Sequence, residues 1–202
     1  MSSSGLSSGE GPSSAPLRVK ALLERLGVTH VVTVPDNTSA PLLAELESSP
    51  KPHPSGPGGE FGIRVLYATR EGEGIGLASG LWLGGALPVV LIQNTGLLEA
   101  GDALRGTACR MGAPILLMIT CRGYAKARAM GIDPSDSDVD RGVLVREDLD
   151  SVAHMTESTL RAWGVPFLSL RSSSDLEPIE QALSLARQDE RPVAVLLDTE
   201  FR

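Results

Sequence analysis

Cysteine is nearly missing from this chain. Cys109 and Cys121 are the two present; neither has metal-ligand or redox spacing, and both fall in or beside apolar runs. They read as buried thiols of a reducing compartment rather than a disulfide framework. No apolar run approaches the ~20 residues of a membrane span. The opening Met-Ser-Ser-Ser-Gly-Leu-Ser-Ser-Gly-Glu has neither the basic start nor the apolar core of a secretory signal. Residues 1–14 therefore read as the disordered tail of a cytoplasmic protein. Positive charge is short as well. Eighteen Lys and Arg against 25 Asp and Glu leave a net charge of −7, which argues against a nucleic-acid surface or an anionic membrane partner.

Familiar chemical motifs are absent too. No Gly-x-x-x-x-Gly-Lys-Ser/Thr occurs, so a P-loop is excluded. From Gly74 the chain offers only Gly-x-Gly-x-x-Ser, a loose match to a dinucleotide fingerprint. Asp133, Asp136, Asp138 and Asp140 crowd together, but a calcium loop needs glycine at its sixth position and glutamate at its twelfth. Asp138 and Leu144 stand there instead. A solvated acidic loop is the reading, and no metal site is assigned. The three histidines, His30, His53 and His154, sit in none of the contexts that serine–histidine–aspartate catalysis requires.

What is present is alternation of strands and helices over 202 residues, 42% of them hydrophobic. Leu17, Leu22, Leu23 and Leu26 recur at helical spacing until Gly27 stops them. His30–Val34 is a first strand, and Asn37 or Thr38 can cap a helix through Leu42, Leu43 and Leu46. The Pro- and Gly-rich stretch at about 50–62 reads as an exposed loop, with a solvated His53. Ile63–Ala68 reads as a buried strand, and a small-residue helix runs on from Glu71 to Leu83. Pro88–Ile92 is a strand, Gln93–Gly96 its terminal turn, and Leu97–Met111 a helix. Ala113–Thr120 is another strand, 124–150 a polar stretch, and Thr156–Trp163 a helix. Phe167–Leu170, Leu176–Arg187 and Pro192–Leu197 complete the order as strand, helix and strand. Continuous apolar strands separated by helices call for one three-layer α/β/α domain, residues 15–202, with a mainly parallel sheet.

The chain is organised around Tyr67-Ala-Thr-Arg-Glu-Gly-Glu-Gly-Ile-Gly-Leu-Ala-Ser-Gly80. Two acids, Glu71 and Glu73, lie where a strand ends and a helix begins, the crevice where open α/β sheets bind ligands. Gly72, Gly74, Gly76 and Gly80 are poor helix formers. Their concentration points to close approach of another backbone or a flat ligand. In a parallel sheet, Asp36, Arg70-Glu71, Gln93–Gly96 and Arg122-Gly123 would gather at one edge.

These stretches carry a resemblance. Val34-Pro-Asp36, Arg70-Glu-Gly-Glu-Gly74, Ala78-Ser-Gly80 and Gln93-Asn-Thr-Gly-Leu97, with Arg122-Gly123, resemble the pyrimidine-binding (PYR) domain of thiamine diphosphate-dependent decarboxylases. The likeness extends over about residues 15–200. Within that family it is nearest to the α subunit of sulfopyruvate decarboxylase and the matching half of phosphonopyruvate decarboxylase. The resemblance implies the thiamine diphosphate-binding fold and a carboxy-lyase acting on a small 2-oxo acid, sulfopyruvate or phosphonopyruvate. It gives Glu71, on its spacing to Gly80, the role of sharing a proton with N1′ of the cofactor's aminopyrimidine. Asn94, Thr95, Gly96 and Leu97 would border the cofactor; an ordinary strand-to-helix turn capped by Thr95 is compatible with that. Asp36 would either steer protons or cap the next helix. Arg122 would suit a sulfonate or phosphonate, since guanidinium forks match tetrahedral anions, and a surface arginine is the alternative. Lys126 and Arg128 are further candidates.

Two features depart from the family. Where it tends to Ser-Gly-Leu-Gly-Asn, this chain reads Thr95-Gly-Leu-Leu-Glu99, so a leucine and an acid stand near the expected pocket. The Gly-Asp-Gly motif with downstream asparagines that grips Mg2+ and diphosphate is missing: the chain has only Asn37 and Asn94, and Gly101-Asp102 continues with Ala103. The resemblance therefore implies a β subunit carrying the diphosphate- and magnesium-binding (PP) domain, in an α2β2 or larger assembly. The glycine-lined helix from Glu71 to Gly85, apolar all round, is the expected interface, with Trp82 beside it. Another split thiamine enzyme, decarboxylating or carboligating, and a non-catalytic α/β scaffold subunit remain as alternatives.

Overall fold

A computed structural model describes residues 14–48, 62–136 and 141–199. The first helix, α1 (Ala15–Arg25), starts where Ser14 accepts the Leu17 N–H at 3.4 Å, with Pro16 in its first turn. Next come β1 (His30–Thr33), α2 (Ala40–Glu47), β2 (Arg64–Tyr67), α3 (Glu71–Leu83) and β3 (Pro88–Gln93). After β3 one nearly continuous helical segment comprises α4 (Asn94–Glu99), α5 (Gly101–Ala103) and a π-helical stretch at Leu104–Cys109. Then follow β4 (Leu116–Thr120), α6 (Tyr124–Ala129), α7 (Arg141–Leu144), α8 (Val152–Ala162), β5 (Phe167–Leu170), α9 (Glu177–Asp189) and β6 (Val193–Leu197).

The six strands form one sheet in the order β2-β1-β3-β4-β6-β5, and every neighbouring pair is parallel. Parallel neighbours cannot be joined by hairpins, so a helix must cross between them. Two apolar layers result. On one face Val19 and Leu23 of α1, Leu42 and Leu46 of α2, and Ile179 and Leu183 of α9 cover Val31, Leu91, Met118 and Val195. On the other, Ile75 and Ala78 of α3, Leu97, Leu104 and Leu160 cover Val32, Ile92, Leu117, Ile119 and Leu196. Successive residues of each central strand point to opposite faces. That is why β3, β4 and β6 are continuous apolar runs, β4 and β6 buried throughout. The expected α/β/α architecture with a parallel sheet is present.

Several expectations need correction. Ile63–Ala68 is an edge strand and not a buried one: β2 pairs only with β1, and Arg64 and Tyr67 are exposed. A run of β-branched and aliphatic residues looks the same at an edge as in the middle. The helix after β3 begins at Asn94, with Gln93 as its N-cap, rather than at Leu97. The polar stretch 124–150 holds α6 and α7, and the following helix starts at Val152, not Thr156. Tyr124 and Ala127 of α6 are buried; in a stretch of six residues whose small alanines fall on every side, no period distinguishes them. The helix α3 is buried on one side only. Ile75, Ala78 and Ser79 face the core, whereas Leu77 is 40% and Leu83 67% exposed. Gly76 and Gly80 have open space where a side chain would go, and Trp82 packs partly buried against the core. The expected tail, Ser14 apart, the proline-rich loop, Gly62 apart, and His53 lie outside the described residues.

The indole of Trp163 is seated on the backbone of Gly101, where a Cβ would stand 2.6 and 2.8 Å from ring carbons. Alanine is better than glycine in a helix by about 1 kcal/mol, but overpacking costs about 1–3 kcal/mol. Gly101→Ala should therefore lower the urea midpoint. A raised midpoint would show that the ring moves away freely.

Candidate active site

The carboxyl ends of β1, β3 and β4 lie side by side, with Thr33 opposite Leu91 and Gln93 opposite Thr120. The chain reverses its direction of sheet growth between β1 and β3, the switch point at which such sheets open a crevice. Asp36 stands there. Its Oδ1 accepts the N–H groups of Thr38 at 2.7 Å and Ser39 at 3.1 Å, and its Oδ2 accepts the Ser39 hydroxyl at 2.8 Å. Gln93 Nε2 and Thr120 Oγ1 approach the same carboxylate at 3.5 Å. Asp36 thus starts the turn into α2, where Asn37 or Thr38 was expected to do so; Ser39 is the N-cap residue by position.

Three carboxylates surround the first turn of α3, and two are engaged. Glu73 accepts the Thr69 N–H at 2.8 Å and the Thr69 hydroxyl at 2.6 Å, closing the helix start. These bonds hold its carboxyl below the usual glutamate range. Glu99, at the end of α4, takes Arg70 Nε at 2.8 Å and Arg70 Nη2 on one oxygen. Its other oxygen accepts the Gly72 N–H at 2.7 Å, one of the amides a helix start leaves unpaired. Arg70 first, then Gly72, holds Glu99 below the usual range.

Glu71 is different. Its carboxylate accepts no hydrogen bond from any described residue, and the Arg70 guanidinium lies within electrostatic reach of it. It lies along Gly96 so closely that a Cβ there would collide with its Cγ and Oε1. Only glycine leaves room for it.

The four residues expected to border a cofactor separate into two pairs. Gly96, buried, lies against Glu71, while Thr95 is exposed and its hydroxyl donates to Gln93 Oε1 at 2.8 Å. Asn94 and Leu97 are fully buried. The Asn94 amide donates to the Arg122 carbonyl at 3.0 Å and to Thr156 Oγ1 at 3.1 Å, tying α4 to the end of β4 and to α8, while its Oδ1 has no partner.

Arg122 is 59% exposed and its Nε holds Asp150 Oδ2 at 2.7 Å. It lines a shallow depression with Lys126, Glu147, Asp148 and Asp150. Gly123 turns there with φ +86°, where a Cβ would press on Asp150 at 3.0 Å. Arg128 is bound to Asp198 through both forks. Both cysteines are free and partly buried, and burial pushes both thiols up. Glu99, expected near the pocket, stands at the first turn of α3, where it binds a residue 29 positions away; no spacing rule reveals that bond.

No family model matches the chain. The sulfopyruvate decarboxylase subunit alpha of Methanococcus maripaludis is 29% identical over 137 residues, 67% of this chain and 72% of that one. That of Methanothermobacter thermautotrophicus is 25% identical over 184 residues, 91% of this chain and 94% of that one. The chain is a homologue of these α subunits. A phosphonopyruvate decarboxylase of Streptomyces viridochromogenes is 34% identical over 101 residues, half of this chain but only 23% of that protein. The benzoylformate decarboxylase of Polynucleobacter necessarius has the same fold over 93% of this chain and 30% of its own, with a TM-score of 0.61 at 18% identity. Among the described residues no helix is long and apolar enough to cross a membrane.

Because Glu73 and Glu99 ionise below their unfolded values, near 4.3, their contribution to stability is present above that pH. It is lost as pH falls through the folded values. Urea unfolding from about pH 6 to pH 3 should therefore show a shallower acid decline in Glu73→Gln and Glu99→Gln than in the parent. An unchanged slope would show that these bonds do not persist in solution.

Proposed function

We propose that this chain is the α subunit of a split thiamine diphosphate-dependent decarboxylase. Its substrate would be a small 2-oxo acid, sulfopyruvate or phosphonopyruvate, converted to the aldehyde and CO2. The observation that carries this reading is the Glu71 carboxylate, unengaged by hydrogen bonds, laid on a glycine and set at a helix start on the open edge of the sheet. A group that must share a proton with a ring nitrogen needs a free lone pair and a partner of matched proton affinity. Glu71 meets the first requirement with both oxygens, whereas Glu73 is already committed to Thr69 through its Oε2. Gly96, having no Cβ, leaves the room that the Glu71 side chain occupies.

The residues present fit an aminopyrimidine: one free acid laid on a residue without a Cβ, with the exposed Thr95 next to that glycine in the chain. When bound, thiamine diphosphate supplies the electron sink that lets a 2-oxo acid lose CO2. Glu71 would hold and release the proton at N1′, while Thr95 and Gly96 border the ring and buried Asn94 and Leu97 fix the turn that carries them. Asp36, already spanning three strand ends, would orient Gln93 and Thr120 toward the reacting group. Mg2+ and the diphosphate would be held by a β subunit with the PP domain, seated on the exposed glycine-lined side of α3, in an α2β2 or larger cytoplasmic assembly. The Gly76 and Gly80 positions support that reading, because no described residue comes within 4 Å of where their Cβ atoms would stand.

Arg122 is the side chain proposed for the sulfonate or phosphonate, which requires it to exchange Asp150 for substrate. The carboxylates around it favour a second reading of the substrate alone, a 2-oxo acid with no second anionic group. Turnover of pyruvate, sulfopyruvate and phosphonopyruvate by the co-purified complex separates the two.

With the partner and cofactor present, Glu71→Gln should lower kcat by at least about 100-fold and leave the complex assembled. Glu73→Gln should change kcat far less and melt at a lower temperature. Near-parental turnover in Glu71→Gln ends the catalytic reading, and the reverse ranking transfers the role to Glu73. Gly96→Ala, which must push the Glu71 carboxylate aside, should match Glu71→Gln in kcat while still binding the partner. Unaltered turnover would mean that the position of this carboxylate is immaterial.

A further inference from the structure

The first turn of α3 contains a competition that the proposed chemistry leaves unexplained. Arg70 immediately precedes Glu71, and both Glu71 and Glu73 lie within its electrostatic reach. A guanidinium beside a carboxylate lowers that group's pKa by about 1–3 units and occupies its lone pairs. Left to itself, Arg70 would quench Glu71. It is instead bound by two of its N–H groups to Glu99.

Glu99 wins for a geometric reason. Its second oxygen is anchored by the Gly72 N–H at 2.7 Å, and its side chain is only 31% exposed, so the acceptor is already in place. Glu71 would have to leave Gly96 to compete. The other charged groups on the elements packed against this turn are spoken for. Asp36 is engaged in its own turn, Glu73 is bound to Thr69, and Asp102 pairs with Arg105 at 2.7 Å. His30 lies at the opposite end of β1. Among the described residues, Arg70 and Glu99 are the charged pair left to act on Glu71.

We propose that Glu99 is a positioning residue that holds the Arg70 guanidinium away from Glu71, keeping the Glu71 carboxylate unpaired and available to share a proton. The inference rests on the reading of Glu71 given above and deepens it. It also gives a physical role to the acid at position 99, where the resembling family tends to an amide: an amide carries no charge with which to hold an arginine.

The test is a carboxyl 13C NMR titration of the full chain, with Glu71 assigned by loss of its signal in Glu71→Gln. Glu99→Gln retains an oxygen for the Gly72 N–H but cannot hold the guanidinium by charge. In that variant the Glu71 midpoint should fall by about one unit. In Glu99→Gln/Arg70→Gln it should return to the parental value. With partner and cofactor, kcat should fall about tenfold in the single variant, the factor of one pK unit, and recover in the double, with KM little changed. A merely structural role for Glu99 would not be rescued by removing Arg70. An unmoved Glu71 midpoint in Glu99→Gln, or no return in the double variant, overturns the proposal. If Glu99→Gln does not fold, Glu99→Asp, too short to reach Arg70 and Gly72 together, should shift the midpoint in the same direction; no shift there overturns it equally. Normal turnover by Glu71→Gln would instead overturn the catalytic reading, which the titration does not depend on.

Discussion

Parallel hydrogen bonding between β1, β3 and β4 is the constraint on which the site depends. Because these strands run the same way and stay in register, their carboxyl ends open onto one edge. The turns that follow them must then share one small volume. Asp36, Gln93, Thr120 and the buried Asn94 meet there through side-chain bonds that link residues 28 to 84 positions apart. An antiparallel arrangement of the same segments would have scattered them over both ends of the sheet.

Within that volume, polar commitments distinguish residues that composition does not. Four acids, Asp36, Glu71, Glu73 and Glu99, stand near the switch point or the first turn of α3. Asp36, Glu73 and Glu99 are each fixed by backbone N–H groups as well as side chains. Glu71 alone is left over, and it rests on a residue that only glycine can be. A carboxylate held in place by shape while its lone pairs stay free is suited to proton exchange with something outside the chain. Glu99 in turn binds Arg70, the guanidinium that precedes Glu71 in the chain.

The outer side of α3 carries the same logic to the quaternary level. Glycines that cost helix stability are not explained by packing inside this chain. Gly76 and Gly80 face open space, while Leu77 and Leu83 are exposed beside them. The inner side, by contrast, is packed by Ile75 and Ala78. A helix apolar all round but covered on one side is what a subunit awaiting a partner would present, and that is how the proposed function uses it.

Much of this was legible beforehand. Strand-helix alternation and the continuous apolar runs of β3, β4 and β6 are properties of local order along the chain, so they determined the three-layer fold. The helix at Glu71–Leu83 and the motif residues around it were equally readable. What could not be read was which apolar run lay at the edge, which of Asp36, Asn37 and Thr38 would start α2, and that Tyr124 and Ala127 belonged to a buried helix. Nor did any pattern separate Glu71 from Glu73 by environment, or reveal Arg70 bound to Glu99. Periodicity records what one stretch of backbone prefers, whereas hydrogen-bond partners and burial depend on which distant stretches pack beside it. The sequence by itself determined the architecture and the neighbourhood of the site. Only the tertiary structure decided which carboxylate is free, because that choice is made by contacts between helices that are far apart in the chain.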